Sequence, residues 1–116
     1  MTAWIGVDLD GTLAHFDHFR GWDHIGDPVP KMLARVQGWL AEGRDVRIFT
    51  ARVATVGSVD GSHIETSRAS INEWTLLHLG VLLPITCCKD VECVALWDDI
   101  AVGVVKNTGR DSSWID

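Results

Sequence analysis

An α/β fold built on a mainly parallel sheet is what this sequence predicts, and three observations predict it. Short apolar runs of strand length alternate with longer segments of helical period. Clusters of glycine and aspartate separate them. Several of the apolar runs also end on polar residues, where open α/β sheets carry their sites. At 116 residues, the chain is expected to form one domain over 1–116, long enough to bury a core without disulfides or a structural metal.

Each element follows from local pattern. Residues 3–8, "AWIGVD", form an apolar run stopped by Asp and Gly and read as the first strand. Residues 11–27 are rich in Gly, Asp and His, show no period, and read as a loop or small hairpin. A helix is expected next, with Asp27 as its cap and Pro28 at its first position. Val29, Met32, Leu33, Val36 and Leu40 share one face of it, and Gly43 ends it. Residues 45–50, "DVRIFT", read as the second strand, and 51–61 as a glycine-bearing loop. Ser62 and Glu65 fit a capping box for a second helix, with Ile64, Ile71, Trp74 and Leu77 on one face and Gly80 at its end. Further short apolar segments lie at 81–88, 93–97 and 102–105.

Composition narrows the function classes. With 47% apolar and 22% charged residues the chain reads as globular. A net charge of −6 with no basic run argues against a protein that binds nucleic acid through phosphate neutralisation. It leaves room for an enzyme that touches one nucleotide end. Cys87, Cys88 and Cys93 match neither a disulfide framework nor a zinc spacing, so free thiols in a reducing, cytoplasmic setting are expected. No apolar run reaches the ~20 residues that span a bilayer.

The polar residues at the strand ends share one chemistry. Asp8 and Asp10 flank a single leucine and are followed by Gly11 and Thr12. Asp98 and Asp99 end a later strand, Thr50 ends the second, and Lys89 follows the third. Clustered carboxylates are hard oxygen ligands that suit Mg²⁺ better than zinc. Without a cation they would repel one another. With a lysine and a hydroxyl beside them, they suit phosphoryl transfer through a carboxylate nucleophile.

"DLDGT" at 8–12, "IFTAR" at 48–52, "CCKD" at 87–90 and "LWDD" at 96–99 resemble, in order, the four motifs of the haloacid dehalogenase superfamily. The resemblance runs from about Trp4 to about Val105. It implies a Rossmann-like three-layer sandwich with strand order 5-4-1-2-3 and a Mg²⁺-dependent phosphate monoesterase. By that resemblance Asp8 is the nucleophile, forming an aspartyl-phosphate and giving one oxygen to the metal. Asp10 is the general acid and then base, and its main-chain carbonyl ligates the metal. Thr50 binds phosphate, and Lys89 neutralises nucleophile and phosphate. Asp98 is the first choice for the remaining metal ligand, with Asp99 acting directly or through water, since neighbours on a strand point opposite ways.

Blander readings stand beside these. Asp10 also fits a turn before Gly11, and Lys89 a solvated surface lysine. Arg52 reads equally as a bidentate phosphate ligand and as an exposed loop arginine. His15, His18 and His24 with Asp17 and Asp23 match no established ligand spacing; the resemblance makes 11–27 a flap bordering the site. His63 and His78 are expected to be structural or exposed. Fewer than twenty residues separate Asp10 from the first helix and eight separate Lys89 from Asp98, so no cap domain fits. The open site then takes a large substrate or borrows a lid from the flap, the 51–61 loop or a second subunit. The alternatives to a phosphatase are a phosphotransferase or phosphomutase, a polynucleotide or nucleotide end phosphatase, and a non-catalytic phosphate-binding domain.

Overall fold

The computed structural model describes residues 3–55 and 61–112. Strand β1 (Trp4–Asp8) is followed by helix α1 (Pro30–Ala41), strand β2 (Asp45–Phe49), helix α2 (Ser62–Leu79) and strands β3 (Ile85–Thr86) and β4 (Cys93–Trp97). All pairings are parallel, and the sheet order is β3-β2-β1-β4. The fold is therefore α/β, as the alternation of patterns predicts.

One face of the sheet carries the core. Ile5 and Val7 of β1 stand beside Val46 and Ile48 of β2 in register, and residues paired this way point to the same face. Met32 and Val36 of α1 and Ile71 and Trp74 of α2 join them in a single buried cluster. Both helices thus cover the same face. This follows from right-handed crossovers, because β1-α1-β2 and β2-α2-β3 move the same way across the sheet.

The expected third layer and fifth strand are not found among the described residues. No helix joins β3 to β4, because only residues 87–92 lie between them. The opposite face is covered by side chains instead: Trp4 is fully buried there, with the Arg47 guanidinium 4.7 Å from its ring centroid. The order β3-β2-β1-β4 differs from the expected 5-4-1-2-3 in stopping at β4. The segment 102–105 makes only an isolated bridge, Val104 to Asp111, and Val102 and Val104 stay exposed. An apolar run alone does not make a strand when no connection returns it to the sheet edge.

Local chemistry moves two helix starts. Val29 precedes Pro30, which disfavours a helical conformation at Val29, so α1 begins at Pro30 and not at Pro28. Residues 27–29 pair with the flap instead: His15 N–H donates to Asp27 O (2.8 Å) and Val29 N–H to Leu13 O (2.8 Å). Gly61, at φ +70°, takes the N-cap position of α2, and Ser62 becomes its first residue. Leu77 is 76% exposed, at the fringe of the buried face that Ser67, Ile71, Trp74 and Thr75 define. The pairing of β4 with β1 contains one irregularity, Trp4 opposite Cys93 but Ile5 opposite Ala95. No described helix is long and apolar enough to cross a membrane.

Candidate functional site

Parallel register brings the strand ends level. Asp8 pairs with Phe49, next to Thr50, and Val7 pairs with Trp97, next to Asp98 and Asp99. One carboxylate oxygen from each of Asp8, Asp98 and Asp99 lies within 4.8 Å of the others. Both neighbours, Asp98 and Asp99, join the cluster. The alternation of a strand does not apply to them because β4 ends at Trp97 and the chain then bends, with Ile100 N–H donating to Asp98 Oδ1 at 2.9 Å.

Gly11 permits this approach. Its φ is +86°, and a Cβ there would stand 2.6 Å from Asp99 Oδ2. Thr12 Oγ1 meets Asp99 Oδ1 at 3.4 Å. The Gly-Thr of the pentapeptide therefore seats a carboxylate from the far end of the chain, a role that local pattern alone does not reveal.

The cluster lacks positive charge. Burial, then a hydrogen bond shared with Asp99, then the charges of Asp98 and Asp99 push the Asp8 carboxyl up to about 7. Three carboxylates at strand ends, all oxygen donors and partly open to solvent, fit a hard divalent cation such as Mg²⁺.

Asp10 faces a different environment. Arg52 grips it with two short bonds, Nε to Oδ2 at 2.7 Å and Nη2 to Oδ1 at 2.9 Å. The same guanidinium donates to the carbonyls of Gly21 (3.4 Å), Trp22 (3.3 Å) and His24 (2.9 Å). Arg52 is only 6% exposed, and these bonds use all of its N–H donors. It is neither a free phosphate ligand nor an exposed loop residue, but a clamp joining Asp10 to the flap. Partners supplied by three carbonyls of an aperiodic loop leave no signature in a sequence.

Thr50 is buried, and its Oγ1 accepts from Arg52 N–H at 3.1 Å in the 3₁₀ turn Ala51–Val53, leaving its own hydrogen to donate. Asp8, Asp10, Thr50, Arg52 and Asp99 line a cavity of about 380 Å³. Its other wall is the flap, through Phe16, Phe19 and Trp22. A second cavity of about 270 Å³ opens on the far side of Asp98 and Asp99 and carries Lys31 and Arg35.

Lys89 lines neither cavity. It is exposed in the connection from β3 to β4, one residue before Asp90, which accepts from Trp4 Nε1 (2.8 Å) at the start of β1. Without a helix between β3 and β4, the chain turns back toward the amino ends of the strands just where this lysine falls. The flap histidines do not converge: among the described residues, the acidic, His or Cys donors that come together as a candidate metal group are Asp8, Asp98 and Asp99. His18 pairs with Asp17 (3.1 Å) and accepts from Arg20 Nε. His63 stacks on Trp22, centroids 4.5 Å apart, and bonds Ala54 O at 3.1 Å, so it buttresses the flap. Cys87, Cys88 and Cys93 are unbridged.

These features define an α/β domain with an acidic, cation-suited centre at the carboxyl ends of its strands. No family model and no curated protein matches the chain. A solved structure of a conserved protein from Bacteroides thetaiotaomicron is similar, at 16% identity and a TM-score of 0.58, over 90% of this chain and 82% of that one. At that identity the likeness concerns the fold alone.

Proposed function

We propose that this chain is a small, capless, Mg²⁺-dependent phosphatase of the haloacid dehalogenase type. The observation that carries the reading is the meeting of Asp8, Asp98 and Asp99 beside the buried Thr50 at the ends of neighbouring parallel strands. Asp8, Asp98 and Asp99 would hold the cation, which supplies charge neutralisation for the phosphate and the carboxylates.

In this reading an oxygen of Asp8 attacks phosphorus and the ester oxygen departs, taking a proton from Asp10. The product is an aspartyl-phosphate at Asp8 and a free alcohol. Asp10 then takes a proton from water as that water attacks phosphorus, releasing inorganic phosphate and restoring Asp8. The Thr50 hydroxyl donates to a phosphate oxygen. Both Asp10 oxygens bond to Arg52, so proton transfer requires Asp10 to give up at least one of those bonds. Lys89 is assigned no step. The short connections on both sides of the motifs support the capless form, and the unbridged cysteines support a reducing, cytoplasmic setting.

The test is phosphate release from an aryl phosphate and a metabolite panel, with Mg²⁺ and with EDTA. Asp8→Asn is expected to lower kcat by ~10³-fold or more. Full activity in Asp8→Asn, or no Mg²⁺-dependent release from any substrate, would sink the mechanism. Phosphate appearing on an added alcohol instead of in solution would identify a phosphotransferase.

A further inference from the structure

Three aromatic side chains of the flap are left partly exposed at the mouth of the carboxylate cavity: Phe16 at 43%, Phe19 at 51% and Trp22 at 40%. They are not slack. Phe19 meets Trp22 edge-on, with centroids 4.7 Å apart and planes at 65°. His63 of α2 supports Trp22 from another side, and the Trp22 carbonyl is held by Arg52. A wall fixed in this way binds a flat ring with little ordering cost. The volume, about 380 Å³, accommodates a phosphate and a ring system.

Charge narrows the choice further. The cavity floor holds Asp8, Asp10 and Asp99, and its guanidinium is fully committed to protein acceptors. The cationic Lys31 and Arg35 line the other cavity. A leaving group bearing further phosphates or carboxylates would find no uncommitted protein cation among the lining residues, and a wall of hydrocarbon and indole favours a flat ring over a polyol that carries none.

We propose that the cavity selects phosphate monoesters whose alcohol carries a flat, uncharged aromatic ring, packed against the Phe16–Phe19–Trp22 wall. The proposal rests on the phosphatase reading above and adds its substrate class. The ring belongs either to an aryl-bearing alcohol or to a nucleoside.

The test compares kcat/KM, with Mg²⁺, for 2-naphthylmethyl phosphate, a nucleoside 5′-monophosphate and n-butyl phosphate. All three are esters of primary alcohols, and the Trp22 variants, which leave leaving-group reactivity unchanged, separate ring binding from chemistry. A ring-bearing ester is expected to exceed n-butyl phosphate by ~10-fold or more, the scale of one aromatic stacking contact. Trp22→Ala should collapse that ratio towards one, and Trp22→Phe should restore most of it. Calorimetric binding of 2-naphthylmethyl phosphonate gives a readout independent of turnover. Turnover with a ratio near one in wild type overturns the ring proposal and leaves the phosphatase reading standing. Phosphonate binding that Trp22→Ala weakens, without phosphate release from any ester, overturns the phosphatase reading and supports the ring site. Neither binding nor release overturns both. Preference for the nucleotide over the naphthyl ester, or the reverse, identifies the source of the ring.

Discussion

Asp8 and Asp10 are two residues apart in the chain and occupy opposite electrostatic settings. Asp8 sits among carboxylates, where burial first, and then Asp99 and Asp98, raise its proton affinity. Asp10 sits in the fork of a buried arginine. The first setting is under-neutralised and suits a cation; the second is complete within the protein. In the proposed mechanism the former setting leaves Asp8 placed to meet a cation and a phosphate. The latter setting holds Asp10 in place, and in that mechanism the clamp must loosen at one oxygen before Asp10 carries a proton. The contrast shows that a D-x-D spacing specifies where two carboxylates begin, while residues 42 to about ninety positions away decide what each one does.

The contrast can be broken from either side. The largest stability effect is expected from Arg52→Ala, which leaves Asp10 and three flap carbonyls without their donor. Removing one partner of such a buried pair costs about 3 kcal/mol, read as a fall in the urea midpoint. Arg52→Lys should recover little, because an ammonium lacks the planar fork. An unchanged midpoint in Arg52→Ala would show that the clamp is not structural.

On the Asp8 side stability depends on pH. The Asp8 carboxyl stands at about 7 in the fold against an ordinary 3.8, so its contribution to stability is complete below about 4 and is lost as pH rises through 7. In EDTA, the protein should therefore be less stable at pH 8 than at pH 5, and Asp8→Asn should flatten this fall. Mg²⁺ at a hundredfold excess over its Kd should return about 2.7 kcal/mol at pH 8. A midpoint that ignores Mg²⁺ at every pH would remove the cation site. The smallest effect is expected from Asp99→Asn. Relieving one repulsion should raise metal-free stability by about 1 kcal/mol or less, while blunting the response to Mg²⁺. A loss of metal-free stability instead would mean that Asp99 acts structurally, as the acceptor for the Thr12 hydroxyl.

Much of the frame was legible because it is local. The apolar run at Trp4–Asp8, the periodic face of α1 and the alternation in β2 each need only neighbouring residues. The meeting of Asp8 with Asp98 and Asp99 was legible through the rule that strand ends carry sites. What escaped depends on partners remote in sequence. Arg52 is a clamp only because Gly21, Trp22 and His24 turn their carbonyls inward. Lys89 leaves the site because the chain reaches β4 without a helix, and the 102–105 run stays out of the sheet for want of a returning connection. Period alone puts Leu77 on the buried face, but period does not say how wide that face is, and Leu77 lies exposed.

The single irregularity where β4 joins β1 has an effect at the other end of the strand. Continued evenly from Trp4 opposite Cys93, the pairing would set Trp97 against Asp8 and turn the alternate side chains of β4 towards the helices. The skipped residue, Val94, advances β4 by one position, so that Asp98 comes level with Asp8 and Trp97 turns to Trp39 of α1. An offset near the first residue of the sheet thus acts as a vernier for the acidic centre, setting by one count which side chains meet there.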